Sequence, residues 1–221
     1  MKRRDENMDI LLTGFGPFRD EKIDSSIESV TLLDGLNING AKIHTRGLPL
    51  ARYRSIEALK SAVAELAPQI IICVGKGVLP EIRLEHSAVN TDNFQIPDAD
   101  GNLPKNEHII ADGPSAYFAT LPVKKIANAL SAAKIPVSIS DSAGTFICNH
   151  VFYGLMNTLA IEGNKRRGGF IHVPRLCKKN NESSAAVGST GATHDFLPIH
   201  TIAMGIKIAI ETVLADFCTK K

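Results

Sequence analysis

Ile70-Ile71-Ile72-Cys73-Val74 is an unbroken apolar run, and no other stretch limits the fold of this chain so strongly. A strand with one wet face alternates apolar and polar residues, whereas an unbroken run fits a strand covered on both faces, as inside a parallel sheet. The flanking sequence supplies the cover. Residues 55–66 place Ile56, Leu59, Val63 and Leu66 on one helical face, and Pro68 ends the helix. Residues 121–133 predict a second helix with Pro122 in its first turn. Residues 202–217 predict a third, with Ile202, Ile206, Ala209, Ile210, Val213 and Phe217 on one side. Short strands are expected over residues 9–13, 41–48, 136–140 and 169–173. Strands separated by helices give an α/β fold, a three-layer α/β/α sandwich with a mostly parallel twisted sheet. Two segments resist that scheme: residues 90–118, rich in Asp, Asn, Gly and Pro, and residues 178–193, rich in Ser, Ala, Gly and Asn. Long loops in compact α/β domains are usually functional or disordered.

A length of 221 residues fits a single domain over residues 1–221. The 25 Lys and Arg against 23 Asp and Glu give no excess charge to recruit nucleic acid or a membrane, and the lack of Trp argues against a base-stacking platform. Ile10-Leu11-Leu12 stops at Thr13-Gly14, too short for a secretory core, and no apolar run approaches a membrane span. Cys73, Cys148, Cys177 and Cys218 lie far apart, as expected of free thiols in a reducing, cytoplasmic compartment.

Chemistry concentrates around Cys148. A strand ends in the turn-forming residues Asp141-Ser142-Ala143-Gly144, and a helix through residues 151–159 follows. Cys148 therefore falls in or near a first helical turn, where free N–H groups and the helix dipole favour a thiolate and suit an oxyanion. Taken alone, such a cysteine reads first as a small buried hydrophobe. His172 ends a strand, at the edge where open α/β sheets hold ligands; alone it reads as a core or edge histidine. Glu85 alternates with Leu84, and alone it reads as a solvated strand carboxylate. A Cys, a His and a carboxylate that meet would form a nucleophile, its base and the base's orienter.

Two other site classes are weaker. Gly14-Phe15-Gly16-Pro17-Phe18 follows a strand as a phosphate-binding loop would, but it lacks the third glycine, and Pro17-Phe18 obstructs close backbone approach. Cys148 with His150, and His194 and His200, match no zinc-ligand spacing.

The motifs, taken in order, resemble the pyroglutamyl peptidase I (pyrrolidone-carboxylate peptidase) family over nearly the whole chain. Leu11-Leu12-Thr13-Gly14-Phe15-Gly16-Pro17-Phe18 resembles its opening motif, and Leu84-Glu85-His86-Ser87-Ala88-Val89-Asn90 with Ile96-Pro97-Asp98 its catalytic-glutamate segment. The stretch from Asp112 to Pro122 is similar to a further signature. Ser142-Ala143-Gly144-Thr145-Phe146-Ile147-Cys148-Asn149 resembles the nucleophile motif, and Gly169-Phe170-Ile171-His172-Val173-Pro174 the histidine motif. The resemblance implies removal of an N-terminal pyroglutamyl residue from N-terminally blocked peptides, through a thioacyl-enzyme and without metal or cofactor. Cys148 would be the nucleophile, His172 the base and Glu85 the histidine's partner. Phe15 and Phe18 would enclose the lactam ring, and Lys76, Gln95, Phe146 and Ile147 complete the expected recognition set. The resemblance also implies a homo-oligomer, a dimer or tetramer, with neither nucleic acid nor membrane as partner.

The departures from the family cluster on recognition. Gly16 replaces an acidic residue, Asp24-Ser25 an Asn-Pro pair, Lys76 a glutamine, Gln95 an arginine and His86 another arginine. Gln95 can donate a hydrogen bond but brings no charge to an oxyanion, and Lys76 as a point charge is expected to favour an anionic group over a neutral lactam. These changes leave open a thiol hydrolase for another small N-terminal acyl group, or an impaired member kept as a binding protein.

Overall fold

A computed structural model of the chain describes residues 8–19, 21–176 and 196–219. The segment 178–193, Cys177 and His194 lie outside the described residues, as does the side chain of Cys218. Nine strands and five helices follow one another: β1 (Met8–Phe15), α1 (Ser25–Thr31), β2 (Asn37–Ile38), β3 (Ala41–Leu48), α2 (Arg52–Leu66), β4 (Ile70–Lys76), β5 (Ile82–Glu85), β6 (Ser87–Val89), β7 (Ala116–Phe118), α3 (Val123–Ala132), β8 (Val137–Ser140), α4 (Ile147–Ile161), β9 (Arg167–Val173) and α5 (Ile199–Thr219) among those residues. Seven strands form one sheet in the order β2-β3-β1-β4-β9-β5-β8, and β6 pairs with β7 apart from it. The contacts of β1 with β3 and β4, of β4 with β9 and of β5 with β8 are parallel. Those of β2 with β3 and of β5 with β9 are antiparallel. The sheet is mostly parallel, as expected.

The unbroken run of β4 is central and feeds two cores. Ile70, Ile72 and Val74 pack with α1, α3 and α5 residues such as Val30, Ile126, Leu130 and Ile206. Ile71 and Cys73 pack on the opposite face with Leu59 and Val63 of α2 and Val151 and Leu155 of α4. Period-2 alternation in a strand buried on both sides produces this three-layer sandwich, and each isoleucine so buried contributes about 1.5–3 kcal/mol. The apolar stripe of α5 falls into the first of these cores, where Ile202, Ile206, Ala209, Ile210 and Val213 are buried.

Several boundaries differ from expectation for local reasons. The helix after Leu121 begins at Val123, with Pro122 as its N-cap instead of inside its first turn. Helix α1 is too short to show a periodicity; the Asp24 side chain caps it by accepting from the Ser26 N–H. The run 82–89 breaks at His86 into β5 and β6. The long segment after Asn90 is ordered by buried polar groups. The Asn90 side chain accepts from Ile109 N and Ile110 N at 2.9 Å, and fully buried Asp92 receives Arg52 Nε at 2.7 Å.

Candidate active site

Helix α4 begins at Ile147 with Phe146 as its N-cap, so Cys148 is the second residue of the helix. The turn that delivers it contains Gly144 at φ +80°, a left-handed conformation that glycine adopts without strain. At this end of the sheet, β1, β4 and β9 finish at Phe15, Lys76 and Val173. Gly75 of β4 lies in register with His172 of β9. A Cβ on Gly75 would stand 3.0 Å from Cys148 Sγ and 2.8 Å from Phe170 Cζ, so glycine lets the thiol lie directly on the sheet.

Strand β5 runs against β9, with Arg83 opposite His172 and Glu85 opposite Phe170. Paired residues share a face, and residues two apart in a strand do so as well. Arg83, Glu85, Phe170 and His172 are therefore on one side, the side packed on α4, while Leu84 joins the other core. His172 Nδ1 lies 2.7 Å from Glu85 Oε1, with His172 7% and Glu85 0% exposed. His172 is also hydrogen-bonded to Cys148. Burial opposes a charge on the imidazole, but the negative sulfur of Cys148, its hydrogen bond, and then Glu85 outweigh burial and push the pKa up to about 9. The reading of Glu85 as a solvated carboxylate does not hold. Strand β5 is inserted between β9 and β8, and the glutamate is sealed beneath them.

The three residues brought together here can perform nucleophilic acyl transfer: a thiol, a base that takes its proton, and a buried acceptor that fixes the base's tautomer. The first N–H groups of α4 have no intrahelical acceptor, and Cys148 is the second residue of that helix, so such donors are available to an oxyanion formed beside it. Cys73, the neighbouring free thiol, is fully buried, and burial pushes its pKa up to about 12, which leaves it inert. Among the described residues no group of three or more His, Cys, Asp or Glu could hold a metal ion.

Cys148 opens into a cleft of about 510 Å³. Phe15, Phe18, Lys76 and Phe146, four of the residues singled out from the sequence, line it. Phe18 and Phe146 have ring centroids 6.3 Å apart, and Phe94 supports Phe146 edge-on at 4.7 Å. Two expected recognition residues are elsewhere. Gln95 is exposed, with its Nε2 3.5 Å from Asn93 O, and its neighbour Ile96 lines the cleft instead. Ile147 is wholly buried among the α2–α4 core residues, because at a helix start it points away from its neighbours Phe146 and Cys148.

Lys76 also differs from expectation. Its ammonium pairs with Glu21 and lies 3.2 Å from Asp24 Oδ2, so it is a partnered cation and not a free point charge. Glu21, Ile96 and Arg175 were not singled out as lining residues from the sequence, whereas Asp24 stood among the departures that cluster on recognition, and it lines the cleft. Gly16, another of those departures, is not among the lining residues.

A family model described as pyroglutamyl peptidase matches residues 8–216. Pyrrolidone-carboxylate peptidase 1 of Ralstonia nicotianae is 44% identical over 206 residues, covering 93% of this chain and 92% of the relative. The crystal structure of Bacillus amyloliquefaciens pyroglutamyl peptidase I superposes with a TM-score of 0.85 at 37% identity, covering 95% of this chain and 98% of that one. The pyrrolidone carboxyl peptidase of Thermococcus litoralis superposes with a TM-score of 0.88 at 32% identity, covering 97% of this chain and 96% of that one.

Proposed function

The chain belongs to the pyroglutamyl peptidase family, and from that premise we propose that it removes an N-terminal pyroglutamyl residue from peptides with Cys148, His172 and Glu85 as its working groups. One observation carries the assignment of residues: the buried Glu85–His172 hydrogen bond of 2.7 Å, with His172 also bonded to Cys148 at the start of α4. His172 takes the Cys148 proton, and the sulfur attacks the pyroglutamyl carbonyl next to the scissile bond, not the lactam carbonyl. The N–H groups at the start of α4 receive the oxyanion. The imidazolium then protonates the departing amine, leaving a thioester on Cys148. Neutral His172 next takes a proton from water as hydroxide adds to the thioester; the C–S bond then breaks, pyroglutamate is released, and the sulfur and His172 are left sharing that proton as at the start.

The cleft suits a small flat ring with a polar edge. Phe15, Phe18 and Phe146 supply aromatic walls. Asp24 Oδ2 and Lys76 Nζ, 3.2 Å apart, set an acceptor beside a donor. A lactam presents an N–H and a C=O side by side, and it meets both without bringing a charge of its own. The carboxylates on Lys76 remove the advantage that a lone ammonium would give an anionic acyl group, so this pairing favours the lactam over the alternative of changed specificity.

A cytoplasmic, homo-oligomeric enzyme acting on N-terminally blocked peptides completes the reading. Free Cys73 and Cys148 support the reducing compartment, and no helix among the described residues is long and apolar enough to cross a membrane. An apolar groove between Leu32 and Met204, with Met204 58% exposed, supports an interface between copies. The test is hydrolysis of pyroglutamyl, prolyl and acetyl chromogenic amides. Turnover of the pyroglutamyl compound alone, lost at least about 1,000-fold in Cys148→Ala, is the expected result. Equal turnover of the acetyl compound, or a full rate in Cys148→Ala, would overturn the reading.

A further inference from the structure

Glu85 answers to more than His172. Arg83 Nη2 lies 3.0 Å from the same oxygen, Oε1, that accepts from His172 Nδ1. Glu85 Oε2 is buried with no hydrogen-bond partner, so both cationic groups converge on a single oxygen. The same Arg83 nitrogen reaches Ser140 Oγ at 3.0 Å and the Ser142 carbonyl at 3.2 Å. Ser140 ends β8, and Ser142 begins the turn that leads through Gly144 to Cys148. One guanidinium thus joins the histidine's carboxylate to the segment that carries the nucleophile.

We propose that Arg83 is a positioning residue of this enzyme, supplying a standing countercharge that holds Glu85 in place as the acceptor of His172 throughout the cycle while fixing the Ser140–Ser142 turn relative to it. The inference rests on the roles given above to Cys148, His172 and Glu85. In that cycle His172 alternates between imidazolium and neutral imidazole. Each time it becomes neutral, a wholly buried carboxylate loses a countercharge, which is costly and loosens the acceptor that sets the imidazole tautomer. The Arg83 guanidinium carries a permanent charge, so it offsets that loss in every step. It brings that charge to Glu85 Oε1, Ser140 Oγ and the Ser142 carbonyl through the single nitrogen Nη2. Among the described residues the ion pairs of Glu85 are with Arg83 and His172 alone, from β5 itself and β9. From α4, Cys148 faces His172. From β8, the contact is the uncharged Ser140.

The experiment compares wild type, Arg83→Gln and Arg83→Lys by the pH dependence of Cys148 alkylation with iodoacetamide and by kcat and KM on a pyroglutamyl amide. Gln keeps a hydrogen-bonding group near the serines but removes the charge; Lys keeps the charge. With the cation gone, the Glu85–His172 pair holds its proton more tightly. The upper limb of the alkylation profile in Arg83→Gln is expected to move up by about half a pH unit or more. Its kcat is expected to fall about tenfold with KM within about twofold, and Arg83→Lys restores the limb to within about a quarter of a unit. An unmoved limb in Arg83→Gln overturns the proposal whatever happens to kcat, because a purely structural tie lowers rate without shifting titration. A limb that moves equally in Arg83→Lys overturns it as well. Alkylation needs no substrate, so a wild type that does not turn over pyroglutamyl amides sinks the proposed function while Arg83 is still tested.

Discussion

Lys76 Nζ lies 3.2 Å from Asp24 Oδ2 in the wall of the cleft, and Glu21 pairs with the same ammonium. Asp24 is 3% exposed, and its other oxygen, Oδ1, accepts from the Ser26 N–H at 2.8 Å and the Ser26 hydroxyl at 2.6 Å. Ser26 in turn receives the Phe15 N–H at 2.9 Å, so the acceptor in the cleft is fixed to its aromatic wall. If the pair reads the lactam, neither half works alone. Lys76→Gln leaves Asp24 a buried carboxylate short of a cation, and Asp24→Asn leaves Lys76 short of an acceptor. Each single variant is expected to raise KM for a pyroglutamyl amide about tenfold, and the double variant, a neutral donor beside a neutral acceptor, to regain most of the loss. Strictly additive losses in that cycle would show that the two residues act separately.

The pH dependence has a definite sign. His172 is raised from 6.5 to about 9: burial lowers it, and Cys148 followed by Glu85 more than offsets burial. A group with a higher pKa in the folded chain than in the unfolded one binds its proton more tightly when folded. Its contribution to stability is complete below about 6.5 and is lost as pH rises through about 9. Cys148→Ser removes the leading upward cause and leaves burial, so the His172 titration moves down and the alkaline loss of stability shrinks. NMR titration of the ring, with urea unfolding at about pH 6 and about pH 9.5, measures both. A ring that still titrates near about 9 in Cys148→Ser would assign the shift to Glu85 instead.

How far the sequence showed these features depended on the range of the interaction. The run from Ile70 to Val74 announced a doubly covered strand because burial on both faces leaves no polar position, and β4 is that strand. Ala41–Leu48 and the stripe of α5 were legible for the same reason: a local period reports a local face. The antiparallel insertion of β5 between β9 and β8 was not, since pairing partners far apart leave no mark in a four-residue strand. That insertion alone turns Glu85 from a solvated carboxylate into a buried one and brings Arg83 opposite His172. In the cleft, the segments picked out by the motif resemblance supply the lining, though not with every residue named from them. Ile96 and Phe146 line the wall while their neighbours Gln95 and Ile147 turn away, a distinction set by backbone direction.

A second charge cluster ties α2 and α4 to the segment between β6 and β7. Arg52 Nε donates to Asp92 Oδ2 at 2.7 Å, Arg52 Nη1 to Glu107 Oε2 at 2.7 Å, and His150 Nδ1 lies 2.8 Å from the same Asp92 oxygen. Arg52 starts α2, His150 is in the first turns of α4, and Asp92 belongs to the long segment between β6 and β7. Removing one member of a buried pair is costly because the other is left uncompensated. Arg52→Met is expected to destabilise the fold by about 3–5 kcal/mol, with part recovered by adding Asp92→Asn. Urea unfolding measures it, and a loss below about 1 kcal/mol would mean that His150 alone satisfies Asp92.

Gly75 sets how closely the nucleophile approaches the sheet. An alanine there would put its Cβ 2.8 Å from Phe170 Cζ and 3.0 Å from Cys148 Sγ. The Phe170 ring is held in turn by Phe15 at 6.5 Å, Phe152 at 5.9 Å and His172 at 4.9 Å between centroids, so it cannot swing away without disturbing the cluster. The sulfur, half-buried and lining the cleft, is the easier group to displace, and its displacement weakens the hydrogen bond to His172. Misplacing a reacting atom by even a fraction of an ångström costs more in rate than in stability. Gly75→Ala is expected to lower kcat about 100-fold and slow alkylation of Cys148, with a loss of stability of about 1–3 kcal/mol from overpacking. Kinetics and thermal unfolding on the same preparation separate the two effects. If kcat stays within about twofold of wild type, the ring and not the sulfur absorbs the methyl group, and the sulfur's close fit against Gly75 is not what sets the rate.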